Sequence, residues 1–473
     1  MWKEYINAGS VEQVLEVLAE KQERARIVVG GTDLVLEMRQ GMHKDVDTLI
    51  DVSRLPGGDT ISRDEQGQIH LGPVVTHNHC VASPLIRARA LPLALACWEV
   101  GAPQIRNGGT IVGNLVTASP ANDTIVPLIA LDAQVHLRST SGTRVVPLED
   151  FYTGVRETVI QPDEMMTEVV FPGLDEDQTG TYLKLGLRRA QAISLVNMTA
   201  VLTLDGDRVV DASVTLGAVA PRIIHAPDVE EFLVGRELSP DTVQRAGLLA
   251  KEAAVPIDDV RGSADYRVAM TEVLVRRGLR EIAREGQSER LPEDPVLLWG
   301  GNDYPTRQDL DSRPLVEGET PIETTINGKP YRFEHGHQDT LLHLVREQAG
   351  LIGSKPGCEE GECGACTMFL DGIAVMSCLV PAPRAHQAEI ITIEGLEADG
   401  ELHPVQQTFL EQGAVQCGYC TPGFIMSAAK LLEEKPHPSK TEISDAISGN
   451  LCRCTGYYKI IQAIELASQK EGA

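Results

Sequence analysis

No stretch of this sequence stays apolar for long enough to cross a bilayer, so no membrane-spanning helix is expected. Basic residues are in short supply: 42 Lys and Arg stand against 68 Asp and Glu, a net charge of −26. That balance argues against nucleic acid or an anionic membrane surface as a partner, because both reward clustered cations. The opening MWKEYINAGS lacks a basic segment followed by an apolar one, so no signal peptide is expected, and the expected location is cytoplasmic. Cysteine is nearly missing from the first 357 residues, where only Cys80 and Cys97 occur. No G-x-G-x-x-G opens a helix, which leaves a Rossmann-type nucleotide fingerprint unsupported, although Gly30-Gly31 after a strand permits close backbone approach to a phosphate. Internal repeats and low-complexity tracts are lacking too.

What is present points to several domains. A chain of 473 residues is too long for one ordinary core, and about two to four domains are expected. Residues 1–177 mix short helical patterns such as VEQVLEVLAE with β-rich runs such as RIVVGG, a strand ending in a glycine turn. Residues 178–285 read as an α+β unit. There TYLKLGLRR and VVDASVTLGAVA suggest strands, and DTVQRAGLLAKEAA and YRVAMTEVLVRRGLREIARE suggest helices. Residues 286–320 are rich in Pro, Gly and charge with little periodicity and read as a linker. Residues 321–400 open on a hairpin around Asn327-Gly328, continue with an amphipathic helix closed by Gly350, and carry a second hairpin turn at Asp371-Gly372. Residues 401–473 read as helices, with Thr421 as an N-cap before Pro422 and a capping box from Ser439 to Glu442.

Eight of the ten cysteines fall between 358 and 454. In a reducing compartment, clustered thiols mean metal more often than disulfides. Cys358, Cys363 and Cys366 read C-x4-C-x2-C, and Cys378 follows after eleven residues, the plant-type 2Fe-2S spacing. The glycines of GCEEGECGAC let a loop fold over a cluster and aim N–H groups at its sulfurs. Zinc sites favour paired C-x2-C units, which this loop is not. Cys417, Cys420, Cys452 and Cys454 read C-x2-C and then C-x-C. Alone this second set fits zinc as well as iron. Beside the first, and with its cysteines placed before helix N-termini that stabilise anionic sulfur, a second 2Fe-2S cluster is the favoured reading.

With GCEEGECGACT, VQCGYCTPGF and GNLCRCTGYYKI all in place, about 150 residues resemble the two-cluster iron–sulfur subunit of the xanthine dehydrogenase family of molybdenum hydroxylases. The glycine stretches VVGGTDL and RNGGTIVGNLVTASPANDT resemble the flavin-binding subunit of the same family over roughly residues 1–285. The resemblance implies an α+β multidomain fold. Its parts would be a vanillyl-alcohol-oxidase (PCMH-type) FAD domain, a small α+β domain like the C-terminal domain of the CO dehydrogenase flavoprotein, a β-grasp plant-type ferredoxin domain, and a four-helix 2Fe-2S domain. It also implies FAD contacts from Val28, Val29, Gly30, Gly31, Thr32, Asp33 and Leu34, and from Thr110, Gly113, Asn114, Thr117 and Asp123. Lys184 would lie near the flavin ring. Two departures are visible: Val112 replaces the first glycine of the usual pair before Asn114, and Asn122 stands where a serine is common before the aspartate. Cys97, in the apolar LALACWEV, reads as core.

In this family Gln416 and Cys454 would touch a molybdopterin cofactor. Nothing in the sequence resembles the large molybdopterin-binding subunit, so that partner is expected on a separate chain, as a heterodimer or a dimer of heterodimers. The implied role is an electron-transfer subunit that takes electrons from molybdenum through the helical cluster and the plant-type cluster to FAD, then to NAD+ or another acceptor. Rivals are the same role in an aldehyde, CO or N-heterocycle (nicotinate-type) dehydrogenase, and a diaphorase working without molybdenum.

Overall fold

The computed structural model describes residues 2–301 and 313–470. Contacts divide the chain into two units that do not follow its linear order. One gathers Met1–Pro56, Gly101–Gly109 and Val296–Ala473; the other gathers Gly57–Val100 and Thr110–Pro295.

The first unit begins with a four-stranded sheet in the order Leu315–Val316, Glu4–Asn7, Thr48–Asp51, Ala25–Val28. The last three strands run parallel, joined by the Val11–Lys21 helix, which Ser10 caps by accepting from the Gln13 N–H. Val14, Leu15 and Leu18 are its buried face, spaced as an amphipathic helix requires. The ferredoxin part is a five-stranded mixed sheet in the order Lys329–Phe333, Ile322–Ile326, Glu389–Ile391, Thr367–Leu370, Ile373–Met376. Both predicted hairpin turns are present, with Asn327, Gly328, Asp371 and Gly372 all at positive φ. Where a regular helix over 339–350 was expected, one α-turn at Leu341–His343 passes into a π-helical stretch, Leu344–Gln348, and Gly350 turns left-handed. The helical part packs Pro404–Glu411, Thr421–Glu434, Lys440–Ala446 and Tyr458–Ala467 around Phe409, Phe424, Leu431 and Ile464. Burying each such side chain contributes roughly 1.5–3 kcal/mol. The Ser439–Glu442 capping box is formed as read. The Thr421 N-cap is not: Thr421 is the first helical residue and Cys420 takes the cap position.

The stretch read as a linker is structured where it is described, and residues 302–312 lie outside the described residues. A short 3-10 turn covers Gln287–Arg290. Val296 and Leu298 are buried in the helical core, and the amides of Leu297 and Trp299 donate to the Glu434 carboxylate at 2.8 and 2.9 Å. Leu315–Val316 pairs with Glu4–Tyr5. The Pro, Gly and charge content hid the VLLW segment, whose apolar side chains find a core. Buried ions also tie residues 1–56 to the ferredoxin part. Arg54 donates to the His386 carbonyl at 2.9 Å and pairs with Asp371 at 3.6 Å, while Tyr5–Asp51 at 2.8 Å and Arg384–Asp371 at 3.1 Å are bonds within each part. Burial, together with nearby Arg384, lowers the Arg54 guanidinium to about 10.

The second unit contains a five-stranded antiparallel sheet in the order Ile61–Arg63, Gln68–Leu71, Met165–Pro172, Gln134–Ser139, Gly142–Pro147. It also contains a four-stranded antiparallel sheet in the order Gln178–Leu185, Val196–Asp205, Arg208–Gly217, Ile224–His225, packed by the Pro227–Leu233, Pro240–Ala253 and Ala264–Ile282 helices. Among the described residues no helix is long and apolar enough to cross a membrane.

Candidate metal centres and flavin loops

The first cysteine loop runs into the Thr367–Leu370 strand, and Cys378 sits in the 3-10 turn Ser377–Leu379 after the hairpin. Two glycines shape it. Gly361 and Gly364 have φ of 76° and 66°, and a Cβ on Gly364 would strike the Gly449 carbonyl. The amides of Glu360, Glu362 and Cys363 each point at the Cys358 sulfur from 3.3 Å, while the Cys358 amide points at the Cys363 sulfur from 3.3 Å. The Cys363 thiol and these amides lower the Cys358 thiol, while the same contact with Cys358 raises the Cys363 thiol, so the two share one proton in the absence of metal. Cys366 and Cys378 are buried and hydrogen-bonded to each other. The four thiols thus meet two by two. That arrangement suits a pair of irons with two sulfur ligands each.

The second set is paired in the same manner. Cys417 and Cys454 are exposed, with sulfurs 3.7 Å apart. Cys420 and Cys452 are half-buried and hydrogen-bonded to each other; burial, with Cys452, raises the Cys420 thiol to about 12. For Cys452 burial pushes upward but is outweighed by the Thr455 hydroxyl, 3.0 Å from its sulfur, and by nearby amides, so its thiol is lowered. The Tyr457 hydroxyl accepts from the Cys452 amide at 3.0 Å, and its ring meets Phe424 edge-on at 5.9 Å. Gln416 is exposed beside Cys417.

The two cysteine loops touch. The Leu451 amide donates to the Cys363 carbonyl at 3.0 Å, and the Asn450 side chain donates to the Gly364 carbonyl at 3.1 Å. Tyr419 donates to the Pro356 carbonyl at 2.8 Å, and Gly423 lies so close to the Gly364 carbonyl that a Cβ would overlap it.

The glycine stretches behave differently from the sequence reading in one respect. Gly30 was read as leaving room for a phosphate, but a Cβ there would collide with the backbone of Gly108, and one on Gly31 with the Leu379 carbonyl. The missing side chains therefore serve protein packing first. The loop still fits an anionic group. Gly31 is left-handed at φ 67°, and among the described residues the amides of Gly30, Gly31, Thr32 and Leu34 donate to no backbone carbonyl. Val28 is buried, Val29 half-buried, and Asp33 is exposed at the start of the Leu34–Arg39 helix.

In the second unit Thr110 caps the Ile111–Thr117 helix by accepting from the Gly113 amide at 2.9 Å, and Thr117 donates back to the Gly113 carbonyl at 2.9 Å. Asn114 accepts from Thr124 at 2.6 Å and, through its carbonyl, from the Asn122 side chain at 2.7 Å. The unusual Asn122 therefore braces the Asn114 backbone. Asp123 is the hub of a buried set. Tyr182 and Ser194 donate to it at 2.6 Å each, Asn197 at 3.3 Å and Lys184 at 2.7 Å. Lys184 also reaches the Glu99 carbonyl at 3.0 Å. Sequence reasoning did not pair Asp123 with Tyr182, Lys184 or Ser194, which lie 59, 61 and 71 residues away, because no local pattern signals such a contact. Cys97 is buried, as read, and so is Cys80.

The fold and thiol geometry define a flavin and iron–sulfur redox protein, and comparison with known proteins makes the class specific. Residues 2–174 match the FAD binding domain in molybdopterin dehydrogenase, and 181–282 the CO dehydrogenase flavoprotein C-terminal domain. Residues 324–389 match the 2Fe-2S iron-sulfur cluster binding domain, and 392–465 the 2Fe-2S binding domain that accompanies it. The nicotinate dehydrogenase small FeS subunit of Eubacterium barkeri is 48% identical over 149 residues, 32% of this chain and 95% of that one. The xanthine dehydrogenase iron-sulfur-binding subunit of Escherichia coli O157:H7 is 49% identical over 146 residues, 30% of this chain and 91% of that one. Among solved structures, carbon monoxide dehydrogenase from Hydrogenophaga pseudoflava aligns with a TM-score of 0.56 at 28% identity, covering 62% of this chain and 99% of that one. The chain belongs to the molybdenum hydroxylase family that includes xanthine dehydrogenase, as a FAD and 2Fe-2S electron-transfer subunit of an oxidoreductase. Its structural neighbours include a Cu,Mo-CO dehydrogenase at 28% identity and a TM-score of 0.56.

Proposed function

We propose that Cys358, Cys363, Cys366 and Cys378 hold one 2Fe-2S cluster and that Cys417, Cys420, Cys452 and Cys454 hold the other. FAD contacts are assigned to Val28, Val29, Gly30, Gly31, Thr32, Asp33 and Leu34 in the first unit, and to Thr110, Gly113, Asn114, Thr117, Asp123 and Lys184 in the second. When bound, the clusters pass electrons singly and FAD collects them in pairs. The chain's own part is placement and tuning. Amides aimed at Cys358 and the Thr455 hydroxyl at Cys452 favour the thiolate forms. Gln416 and Cys454, both exposed, face the molybdopterin of the partner subunit, and NAD+ or another acceptor takes the electrons from FAD. The assembly is a heterodimer or a dimer of heterodimers in the cytoplasm.

The observation that carries this reading is the hydrogen bond from the Leu451 amide to the Cys363 carbonyl, which puts the two cysteine loops in direct contact. Co-expression with a large molybdopterin subunit tests it. The expected product is a stable complex with FAD, four irons per copy of this chain, and flavin that is reduced both by NADH and by the partner's substrate. A chain that reacts with NADH yet never retains such a partner would overturn the reading in favour of a diaphorase.

The names of three relatives support a second reading of the partner's substrate. Nicotinate dehydrogenase from two organisms and nicotine 6-hydroxylase all act on a pyridine ring, and their small subunits are 42–48% identical to this chain over about 150 residues. In that reading an N-heterocycle replaces xanthine, and the complex reduces its flavin with nicotinate rather than with xanthine, an aldehyde or CO.

A further inference from the structure

Gln104 stands on the Pro103–Gly108 helix, within the part matched to the FAD domain, yet its side chain donates to residues of the iron–sulfur part. It is 2% exposed. Its amide nitrogen donates to the Ser427 hydroxyl at 2.9 Å and to the Asn450 side-chain oxygen at 3.2 Å. Ser427 donates to the same Asn450 oxygen at 2.8 Å, and the Asn450 nitrogen donates to the Gly364 carbonyl at 3.1 Å. Ser427 lies on the helix that starts immediately after Cys420; Asn450 lies two residues before Cys452; Gly364 follows Cys363. Asn450 therefore joins segments that carry ligands of both cysteine sets, and the buried Gln104 amide, with Ser427, holds the Asn450 side chain that does so. Its own oxygen has no hydrogen-bond partner and packs against Gly449. A leucine or methionine would fill the same space without burying an unpaired oxygen, so packing alone gives no reason for an amide here.

We propose that Gln104 is a positioning residue for electron transfer between the two clusters. It fixes the Asn450 side chain, whose nitrogen bonds the Gly364 carbonyl, and so holds the Cys363–Gly364 segment against the Asn450–Cys452 segment and sets the separation and mutual orientation of the clusters. The same helix extends the lock toward the flavin sequence. Asn107 donates to the Ala374 and Leu297 carbonyls at 2.9 and 3.1 Å, and the helix ends at Gly108, against Gly30. Tunnelling rates fall steeply with separation, so a hydrogen-bonded junction is worth more here than an apolar one that can slide. The proposal rests on reading the two cysteine sets as 2Fe-2S sites.

The test uses the full chain and compares the parent with Gln104→Leu and Ser427→Ala. Iron and sulfide content shows whether both sites are loaded, and low-temperature EPR of the fully reduced protein reads the magnetic interaction between the clusters. The parent shows two distinct 2Fe-2S signals with a resolvable mutual splitting. Gln104→Leu keeps four irons and both signals but changes the splitting, and electron exchange between the clusters, followed after rapid partial reduction, slows at least threefold. Ser427→Ala, which removes one hydroxyl, shifts the splitting in the same direction by less, and it decides the matter if Gln104→Leu fails to load. Fully loaded variants with parental splitting and exchange overturn the proposal alone. A parent without two 2Fe-2S signals overturns the cluster reading beneath it.

Discussion

His79 makes the stability of the second unit depend on pH in a direction that can be worked out. It is the third residue of the His77–Ala82 helix and closes a capping box with Thr76. The Thr76 hydroxyl accepts from the His79 amide at 3.2 Å, and the imidazole Nδ1 accepts from the Thr76 amide at 3.0 Å. Only a neutral ring can accept there. Burial, opposed weakly by Asp59, pushes the imidazole down from its ordinary 6.5 to about 4. Between those values the unfolded chain binds a proton that the folded one refuses. Stability is therefore complete above pH 6.5 and declines as pH falls toward 4, by ~1.4 kcal/mol per unit. At pH 5 the penalty is about 2 kcal/mol, roughly a thirtyfold rise in local opening. The consequence reaches the loop proposed for flavin, because Thr76 forms a β-bridge with Thr110 and the Ile111 amide donates to the Val75 carbonyl. His79→Gln preserves the capping box, since a glutamine oxygen accepts the same N–H, but removes the titration. Hydrogen exchange of the peptides covering residues 76–83 and 110–114, corrected for intrinsic rates at pH 7, 6 and 5, is the assay. Local readouts are needed because a chain of several domains has no single unfolding free energy. The parent loses protection toward pH 5 and the glutamine variant holds it. Identical pH profiles in the two proteins would refute the reasoning.

Two further outcomes follow from buried contacts. Removing either member of the Asp123–Lys184 pair leaves an uncompensated buried charge and costs about 3–5 kcal/mol. Asp123→Asn is the more damaging, because Lys184 keeps only the Glu99 carbonyl, whereas after Lys184→Met the carboxylate keeps Tyr182, Ser194 and Asn197. Thermal unfolding of the double variant should show much less than the summed loss, and simple additivity would sink the assignment. Gly423→Ala forces a methyl into the Gly364 carbonyl and costs about 1–3 kcal/mol of overpacking. Its measurable effect is iron lost from the second site before the first, and full iron content in both sites would contradict it.

Much of the fold was legible because its signals are local. Asn327-Gly328 and Asp371-Gly372 specify hairpins by backbone conformation alone, and Ser439 with Glu442 specifies a helix start. The cysteine sets were legible because metal chemistry constrains spacing within a loop. What the sequence hid is non-local. VLLW at 296–299 looked like part of a linker because its flanks are Pro-, Gly- and charge-rich, and its core lies more than a hundred residues away on the Thr421–Glu434 helix. The Thr421 cap failed by one residue because Cys420 already carries the turn. Gly30 and Gly31 read as phosphate glycines because the residues they press against, Gly108 and Leu379, are remote in sequence. Gln104 gave no sign at all, for a glutamine on a six-residue helix is unremarkable until Ser427 and Asn450 are seen around it.

The order of the parts, flavin sequence first and iron–sulfur sequence last, raises the question of what keeps the ends together. The first unit answers it with contacts that span more than 300 residues. The Trp2 indole donates to the His337 carbonyl at 2.8 Å, Arg54 reaches the His386 and Arg384 carbonyls, and Arg39 pairs with Glu359 beside Cys358. Between separate subunits such buried polar contacts would have to overcome the entropy of association as well as desolvation. On one chain the association term becomes an intramolecular one with a high effective concentration. Fusion therefore lets this junction be built from hydrogen-bonded arginines rather than from a broad apolar interface. It also lets the Leu315–Val316 strand, at the far end of the stretch read as a linker, complete the sheet that begins with Glu4–Asn7. By this reasoning the chain segment joining the parts does more than set reach: its last strand belongs to the flavin-side sheet, and its VLLW segment belongs to the helical core.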